Sequence, residues 1–555
     1  MKHDRSLADL GLAPENEGEE AIRRWDELKG TRAHYEGDWE SLARLIRPQR
    51  GGFASADPAR VRDEKPLSSA PIIAQSNFSA GLYGTLTNPA NRWLTIRSTN
   101  EDLNGFQPMK LWCDAVATRI LASFRPSVSP FYSAAVQLFG DIATFGNAAQ
   151  YDEVRLEERK ILDVTLSLAE VVFDIDAWGR VNEAVRKFKL KPRAAVIMFE
   201  GQVPAKVREL AEKGSQEEHW YYHHVKANAD YRRGRLGPAG KRWLSIYVCE
   251  IEKMVVRRAG YEEMPFHAPR WEVESGQVYG TGPGFIALAS ARVSHRMQEA
   301  NLRAGQKAAD PTLLAADRRV WKLNGVVRPG HTVYGGVDMQ GRPTIRPLDN
   351  FSSTGLSLEM QQELKEEIRD AFHYSLMNLA GRTGMTATEV IEIQEEKMRL
   401  MAPHMGRIQE EYLAPKIARR FQILYRAGQL PPPPQGIPEG AGLEVVYTSA
   451  AAMAQKSAEG AAVVRILQDI VPLASIDPMA ASRLGKRISV DDVLEVLQEA
   501  RGAPSRVLRS REEADALQQA EAEAAQQQQL LEQGPGAMRD LAQAGAAMQH
   551  GGGGP

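Results

Sequence analysis

Residues 280–309 read GTGPGFIALASARVSHRMQEANLRAGQKAA, and how this stretch is read decides the fold. Gly280-Thr281-Gly282-Pro283-Gly284 is turn-forming, and the pattern beyond it is helical to about Ala309, before Pro311. At 100° per residue, Ile286, Ala289, Val293, Met297, Ala300, Ala304 and Ala308 fall within one arc of roughly 100°. Arg292, Arg296, Arg303 and Lys307 fill a separate, partly adjoining arc, with Glu299 among them. Small residues dominate the apolar stripe, which predicts a helix that a neighbouring helix approaches closely.

Outward from this helix, residues 310–352 are rich in Gly and Pro and poor in helix signal, which predicts a small β-containing insertion. A second amphipathic helix follows, with Met360, Leu364, Ile368, Ala371, Phe372 and Leu379 on one side, and it ends at the loop Ala380-Gly381-Arg382-Thr383-Gly384. Thr386-Ala387-Thr388-Glu389 is a capping box, in which threonine and glutamate satisfy each other's free backbone donors. The helix it opens is expected to run to Gly428, about 43 residues or roughly 65 Å. Pro403 and Pro415 lie inside it, and each removes a donor and is expected to kink the axis. After Pro431–Pro434 come a short strand at Leu443–Tyr447 and helices at 453–470 and 489–501, the latter with Ser489 as N-cap. From Ser505 the chain turns Ala, Glu and Gln-rich, the composition of a solvated helix or a partly disordered tail.

Toward the N-terminus, Ile22, Trp25, Leu28, Trp39, Leu42, Leu45 and Ile46 mark a helix that Pro48 stops. Residues 52–66 read as a loop, and helices are expected at Ala70–Leu86 and Pro108–Phe124. Between about 146 and 270 the texture changes. Runs at Val171–Ile175, His219–Val225 and Trp243–Val256 around one helical segment near 192–213 predict a mixed α+β region with an antiparallel sheet.

The 555 residues suggest roughly three or four structural units. Hydrophobic content of 43% and charged content of 25% are those of a globular protein. With 69 Lys and Arg against 71 Asp and Glu, the chain is not the strongly basic kind that grips nucleic acid over its whole surface, so any DNA contact is expected to be local. Cys113 and Cys249 alone exclude a disulfide scaffold and a cysteine-rich zinc site. No signal core and no run of ~20 apolar residues is visible, so a membrane anchor is not expected and a reducing cytoplasm is.

No motif of reaction chemistry stands out in the sequence. Gly280–Gly284 lacks the Gly-Lys-Ser/Thr of a phosphate loop, and Pro283 has no amide to donate. His219 and His223 lie roughly 13 Å apart on a strand and His224 points to the other face, so one ion cannot collect them. They read as an aromatic strand with exposed tips. Neither a nucleophile elbow nor a His-Glu-x-x-His zinc helix occurs, so no enzyme activity, cofactor or metal is expected.

Two segments resemble the head-to-tail connector (portal) family of short-tailed bacteriophages. One is Tyr279-Gly-Thr-Gly-Pro-Gly284 with Asn301 and Asp310-Pro311; the other runs from Thr386-Ala-Thr-Glu389 through Pro403 and Leu413-Ala-Pro415 to Gly428-Gln-Leu-Pro431. Echoes occur at Asn88-Pro-Ala-Asn-Arg-Trp93, Arg501-Gly-Ala-Pro504 and Leu508-Arg-Ser510, so the ordered set covers roughly residues 20 to 530. The resemblance implies an α+β, predominantly helical fold of wing (1–280), first stem helix (281–309), clip (310–354), second stem helix (355–379), tunnel loop (380–385), long kinked helix (386–442), crown (443–504) and a barrel helix or tail (505–555). It implies a dodecameric homo-oligomeric ring at one capsid vertex of the virion, assembled in the host cytoplasm, through which double-stranded DNA passes. Its partners would be the terminase large subunit, tail adaptor proteins and the major capsid or scaffolding protein.

On that resemblance Gly381, Arg382, Thr383 and Gly384 are candidates for a tunnel loop, and Arg318, Arg319, Arg328 and Arg342 for the clip. Arg292, Arg296, Arg303 and Lys307 would face either the DNA channel or a neighbouring subunit's acidic residues, unless they are an ordinary solvated face. Phosphate contacts there would be independent of sequence and sensitive to salt. A scaffold or adaptor that shares the helical stem without forming a pore is the alternative. Ring closure separates the two.

Overall fold

The computed structural model describes residues 17–53, 66–155, 157–158, 160–309, 313–315, 337–347, 354–373, 399–435, 442–447, 460–468, 489–501, 507, 509 and 513–525. The chain divides into two compact units, Met1–Asn91 with Ile120–Gln429 and Arg92–Arg119 with Leu430–Pro555. The fold is α+β.

Helix α1 (Glu17–Leu45) buries Trp25, Leu28, Trp39, Leu42 and Leu45, the spacing read from the sequence, and carries Glu17, Glu19 and Glu20 in the turn where a helix favours negative charge. Helix α2 (Ala70–Leu86) holds Pro71 in its first turn, where a missing N–H costs little. Then come β1 (Leu94–Ser98), α3 (Glu101–Gly105), α4 (Gln107–Ser123) and α5 (Phe131–Phe145). The sequence reading missed α5. Phe131, Ala134, Ala135, Leu138, Phe139, Ile142, Ala143 and Phe145 are all buried, while Ser133 and Gln137 on its narrow polar face are exposed, so the helical period is present in the sequence.

The region between 146 and 270 is antiparallel throughout, as expected. Strands β2 (Ala149–Arg155), β3 (Lys160–Leu166), β4 (Val171–Ile175) and β5 (Val181–Leu190) lead to helices α6 (Pro192–Met198) and α7 (Ala205–Glu212). Strands β6 (His219–Ala227), β7 (Trp243–Cys249), β8 (Val255–Tyr261) and β9 (Phe266–His267) complete two sheets, ordered β4-β5-β6-β7-β8 and β3-β2-β9. Two expectations need correction. The single helix near 192–213 is two, because Gly201 takes a positive φ of 80° and Pro204 follows. The run Trp243–Val256 is two strands around a turn in which Glu252 and Lys253 have φ of 62° and 49°.

The five-stranded sheet is covered on both faces. Ala21, Trp25 and Leu28 of α1 pack on Val172, Val185, Tyr222, Ile246 and Val248. Phe199, Val203 and Val207, around α6 and α7, pack on Phe188, Tyr221, Tyr247 and Cys249. The adjacent Tyr221 and Tyr222 serve opposite cores, as strand alternation requires.

Helix α8 (Pro283–Ala309) is followed by β10 (Leu313–Ala315), paired antiparallel with β11 (Ile345–Pro347), so the insertion contains β structure. Helix α9 (Thr354–Ala371) follows. Helix α10, over 399–426, contains Pro403 and a π turn at Gln409–Leu413 directly before Pro415. The wider turn accommodates the donor that Pro415 lacks. The capping box Thr386–Glu389 lies outside the described residues.

In the second unit β1 pairs antiparallel with β12 (Leu443–Tyr447), from Leu94↔Tyr447 to Ser98↔Leu443. Trp112 Nε1 donates to the Pro431 carbonyl at 2.9 Å, and Lys110 meets Glu495 at 3.5 Å. Helix α11 (Val490–Arg501) has the expected cap, Ser489 Oγ accepting from the Asp492 N–H at 3.2 Å. A helix spans 460–468, and residues 513–525 are helical and largely exposed.

Candidate functional site

The opening glycines seat α8 on the end of α5. Helix α5 stops at Gly146 in the left-handed conformation, φ 68°. A Cβ on Gly146 would stand 2.2 Å from the Thr281 carbonyl carbon, one on Gly282 2.7 Å from Gly146 Cα, and one on Gly284 2.2 Å from the Thr144 oxygen. Two backbones thus cross with no room for side chains. Asn147 secures the crossing, donating to the Gly280 carbonyl at 2.7 Å and accepting from its N–H at 2.8 Å.

From this seat α8 runs beside α9 as an antiparallel pair. Ser290 Oγ donates to Glu367 at 2.7 Å and Gln361 Nε2 donates to Gln298 at 3.3 Å, which fixes the register. The residues α8 buries are Ala287, Leu288, Ala291 and Ser294. They are not the predicted stripe. Ile286 is 68% and Val293 44% exposed, and Ala289 and Ala300 are exposed as well. Arg292, Arg296, Arg303 and Lys307 share that outward face. At 100° per residue the arc from Arg292 round to Ile286 spans about 120° and is centred nearly opposite Ala291. Arg292 pairs with Asp38 at 3.0 Å and Arg303 with Glu299 at 2.5 Å, both exposed. Among the described residues Arg296 and Lys307 form no ion pair.

Helix α9 buries Ile368, followed by Phe372, and turns Glu359, Glu363, Glu366 and Asp370 outward. An aromatic node anchors its end. Phe372 lies 6.1 Å from Phe78, Phe78 lies 5.4 Å from Trp271, and Trp271 stacks on His404 at 4.4 Å. Burial, helped by neighbouring His404, holds His373 below the usual imidazole range.

A buried ionic network fixes α10 to the three-stranded sheet. Lys416, Arg419 and Arg420 point inward at 3% exposure or less, onto Asp152 of β2 and Asp163 of β3. Arg420 and Lys416 contact Asp163, which also accepts from Ser129 Oγ. Arg419 Nε donates to Asp152 at 3.0 Å and its Nη1 to the Glu263 carbonyl at 2.9 Å. Tyr412 donates to Gln150 at 3.0 Å, and His267 Nε2 lies 3.4 Å from Asp152. Burial alone would raise both carboxyls. Arg419 and Lys416 instead hold Asp152 well below the ordinary range, and Lys416 and Arg420 lower Asp163.

Nearby, Arg270 ties three segments together, pairing with Glu411 of α10 at 2.7 Å and donating to the carbonyls of Gly179 at 2.6 Å and Val278 at 3.2 Å. It lines a cavity of about 1130 Å³ with Glu274, Arg407 and Trp178, whose ring is 85% exposed. The sequence reading singled out none of these residues. Lys416, Arg419 and Arg420 do share one helix face, but Asp152 and Asp163, which answer them, lie more than 250 positions earlier.

Of the residues singled out, Gly381, Arg382, Thr383, Gly384, Arg318, Arg319 and Arg328 lie outside the described residues. Arg342 is exposed in a turn where Asp338 accepts from the N–H groups of Gln340 and Arg342, at 2.9 and 2.8 Å. The strand 219–224 does not have exposed tips. His223 is buried, stacks on Tyr247 at 3.9 Å and meets Ser245 Oγ at 2.9 Å, while His224 is buried on the other face against Glu183 at 2.6 Å. Burial holds His223 well below its usual range. Among the described residues no group of three His, Cys, Asp or Glu is placed to hold a metal ion, and no helix is long and apolar enough to cross a membrane.

Compared with known families, residues 18–508 match the bacteriophage head to tail connecting proteins. The chain belongs to that family. The ordered motifs at 279–311 and 386–431 are therefore those of a connector protein. This connector is 27% identical over 542 residues to the portal protein of Salmonella phage epsilon15, covering 94% of each chain. It is 27% identical over 488 residues to the probable portal protein of Bordetella phage BPP-1, covering 84% of this chain and 85% of that one. Solved structures resembling the connector include a chain from the virion of a native gene transfer agent particle, at TM-score 0.35 and 12% identity, covering 79% of this chain and 89% of that one. Another comes from the neck of an empty particle of the same kind, at TM-score 0.34 and 13% identity, covering 76% and 88%.

Proposed function

We propose that this chain is a phage portal subunit, one wedge of a dodecameric ring at a capsid vertex through which double-stranded DNA is packaged and later ejected. The observation that carries this reading is the relation to a portal protein across 94% of both chains. The chain's part is mechanical and electrostatic rather than catalytic, and the energy of packaging comes from a separate ATPase. The α8/α9 pair serves as the stem, and the segment between them is the clip, which docks first the terminase large subunit and then a tail adaptor. Gly381, Arg382, Thr383 and Gly384 are the tunnel loop of this reading, with Arg382 its candidate DNA contact. The wing meets the major capsid or scaffolding protein, and assembly takes place in the host cytoplasm. The outward face of α8 supports a ring, because Ile286, Val293 and Arg296 on it are exposed, Arg296 forms no ion pair among the described residues, and a rotationally closed assembly would cover them.

Negative-stain electron microscopy of the purified protein tests the proposal. Closed rings with a central hole, near twelvefold, are the expected result. Monomers or open chains at high concentration and across salt conditions would overturn it in favour of a scaffold without a channel.

A further inference from the structure

We infer that the basic face of α8 is an intersubunit surface, occupied in the ring by the acidic face of α9 from the next copy of the chain, and not a DNA-facing surface. The inference rests on the ring reading above and names the residues that would hold the ring.

The two outward faces are complementary. On α8 the arginines Arg292, Arg296 and Arg303 border the exposed apolar residues Ile286, Val293 and Ala300. On α9, Glu359, Glu363, Glu366 and Asp370 fall within an arc of about 60°, centred nearly opposite the buried Ile368. Among the described residues none of these four carboxylates forms an ion pair within its own chain. A single chain therefore carries opposite charges on the two outer sides of one helical pair. Such a surface repels its own kind and attracts the other side of a second copy, which is the pattern of a heterologous, head-to-tail contact.

Register adds a second argument. The bonds Ser290–Glu367 and Gln298–Gln361 place Arg292 level with Glu366, and Arg296 level with Glu363. Rotation about an axis running along the pair brings the next copy's α9 beside α8 without changing height, so those charges meet. The apolar strip of α8 then supplies the area that charge alone does not, since exposed ion pairs are individually weak. A face of arginines turned to DNA would instead hold the phosphates of a strand that must slide.

Charge reversal tests the pairing. Arg292→Glu with Arg296→Glu makes both sides acidic, and Glu363→Arg with Glu366→Arg makes both sides basic. Circular dichroism establishes that each double variant folds, and sedimentation and electron microscopy score ring assembly. Each alone is expected to need roughly tenfold or more protein to form rings. A one-to-one mixture of the two, or all four changes in one chain, restores assembly, because every α8 again meets an α9 of opposite charge. Unaltered assembly by both double variants, or a failure of the mixture and of the four-change chain to recover, overturns the pairing. So do intact rings of the Arg292→Glu, Arg296→Glu variant that have lost salt-dependent DNA binding, which would assign the stripe to DNA. Absence of rings from the unaltered protein would overturn the portal reading itself, a separate outcome.

Discussion

Replacing Asp163 by Asn removes one charge from a site where Asp163, Lys416 and Arg420 are almost wholly buried. At its centre Asp152 and Asp163 face Lys416, Arg419 and Arg420, while Glu263 at its edge is shared by Arg419 and Arg426. Asparagine keeps the shape of the side chain and can still accept a bond from Arg420, so the change isolates charge from packing. It leaves one cation uncompensated in the interior, and breaking a buried pair from one side costs about 3–5 kcal/mol. In a unit of this size, Met1–Asn91 with Ile120–Gln429, that lowers the melting temperature by about 4–6 °C. The assay is urea and thermal unfolding of unassembled protein, with amide exchange followed over residues 149–166 and 409–426 to localise the loss. A companion variant, Asp163→Asn with Lys416→Met, removes one charge of each sign and is expected to recover much of the loss, because a neutral replacement of a buried pair is often tolerated. The reasoning is wrong if Asp163→Asn costs less than about 1 kcal/mol, the value of an ordinary neutral hydrogen bond. It is equally wrong if the double variant is no more stable than the single one.

Acid dependence follows from the same core. His223 and His267 are buried with lowered proton affinity, so below about pH 6.5 the unfolded chain binds more protons than the folded one, and stability falls as pH drops from about 7 toward 5. Asp152 and Asp163 are lowered too, so their contribution is present above the unfolded carboxyl value near 3.8 and is lost below it; urea midpoints across this range give both phases. Gly282→Ala forces a methyl to 2.7 Å from Gly146 Cα and should cost about 1–3 kcal/mol in a thermal melt. Gly305→Ala, on the same helix with nothing within 4 Å, should instead stabilise by roughly 0.5–1 kcal/mol. Arg270→Met should cost about 2–3 kcal/mol by chemical denaturation, having cut charged bonds to Glu411, while Trp178→Ala at 85% exposure should stay within about 0.5 kcal/mol.

What the sequence made legible was local. The helices α1 and α8, the β-containing insertion, the cap at Ser489 and the antiparallel character of 146–270 each follow from spacing or turn chemistry within a few residues. Helix α5 was legible but missed: Ser133, Gln137 and Thr144 share one narrow polar face, and the wide apolar arc of Phe131, Ala135, Leu138, Ile142 and Phe145 covers the rest. Strand β12 was readable as a strand, but its partner β1 lies more than 340 positions earlier in the chain, and no local pattern encodes that pairing. The ionic network was hidden for a related reason. Single charges such as Asp152 and Asp163 look like ordinary alternation along a strand until α10 is folded over them. Gly280–Gly284 was recognised as a turn, but its tight crossing over Gly146 needed the second backbone to be in place.

Helix α8 is the case where pattern and burial part company, and the disagreement carries information. Its apolar stripe, read at 100° per residue, points away from Ala287, Leu288 and Ala291, the residues that its own chain buries. A helix whose only contacts were within the protomer would gain nothing from placing Ile286, 68% exposed, and Val293, 44% exposed, on its wet side, where each forgoes about half of the roughly 1.5–3 kcal/mol that full burial brings. The buried side manages with small residues because α9 and α5 approach closely there, fixed by the glycine crossing and by the Ser290–Glu367 bond. Larger apolar residues and arginines are thus left for the opposite side, while α9 keeps its own outward side acidic. Each helix satisfies one half of its pattern inside the chain and leaves the other half to a second surface. Local signals of a natural sequence tend to agree with its final state, and under the ring proposed above the assembled state is the one that would bring those of α8 into agreement.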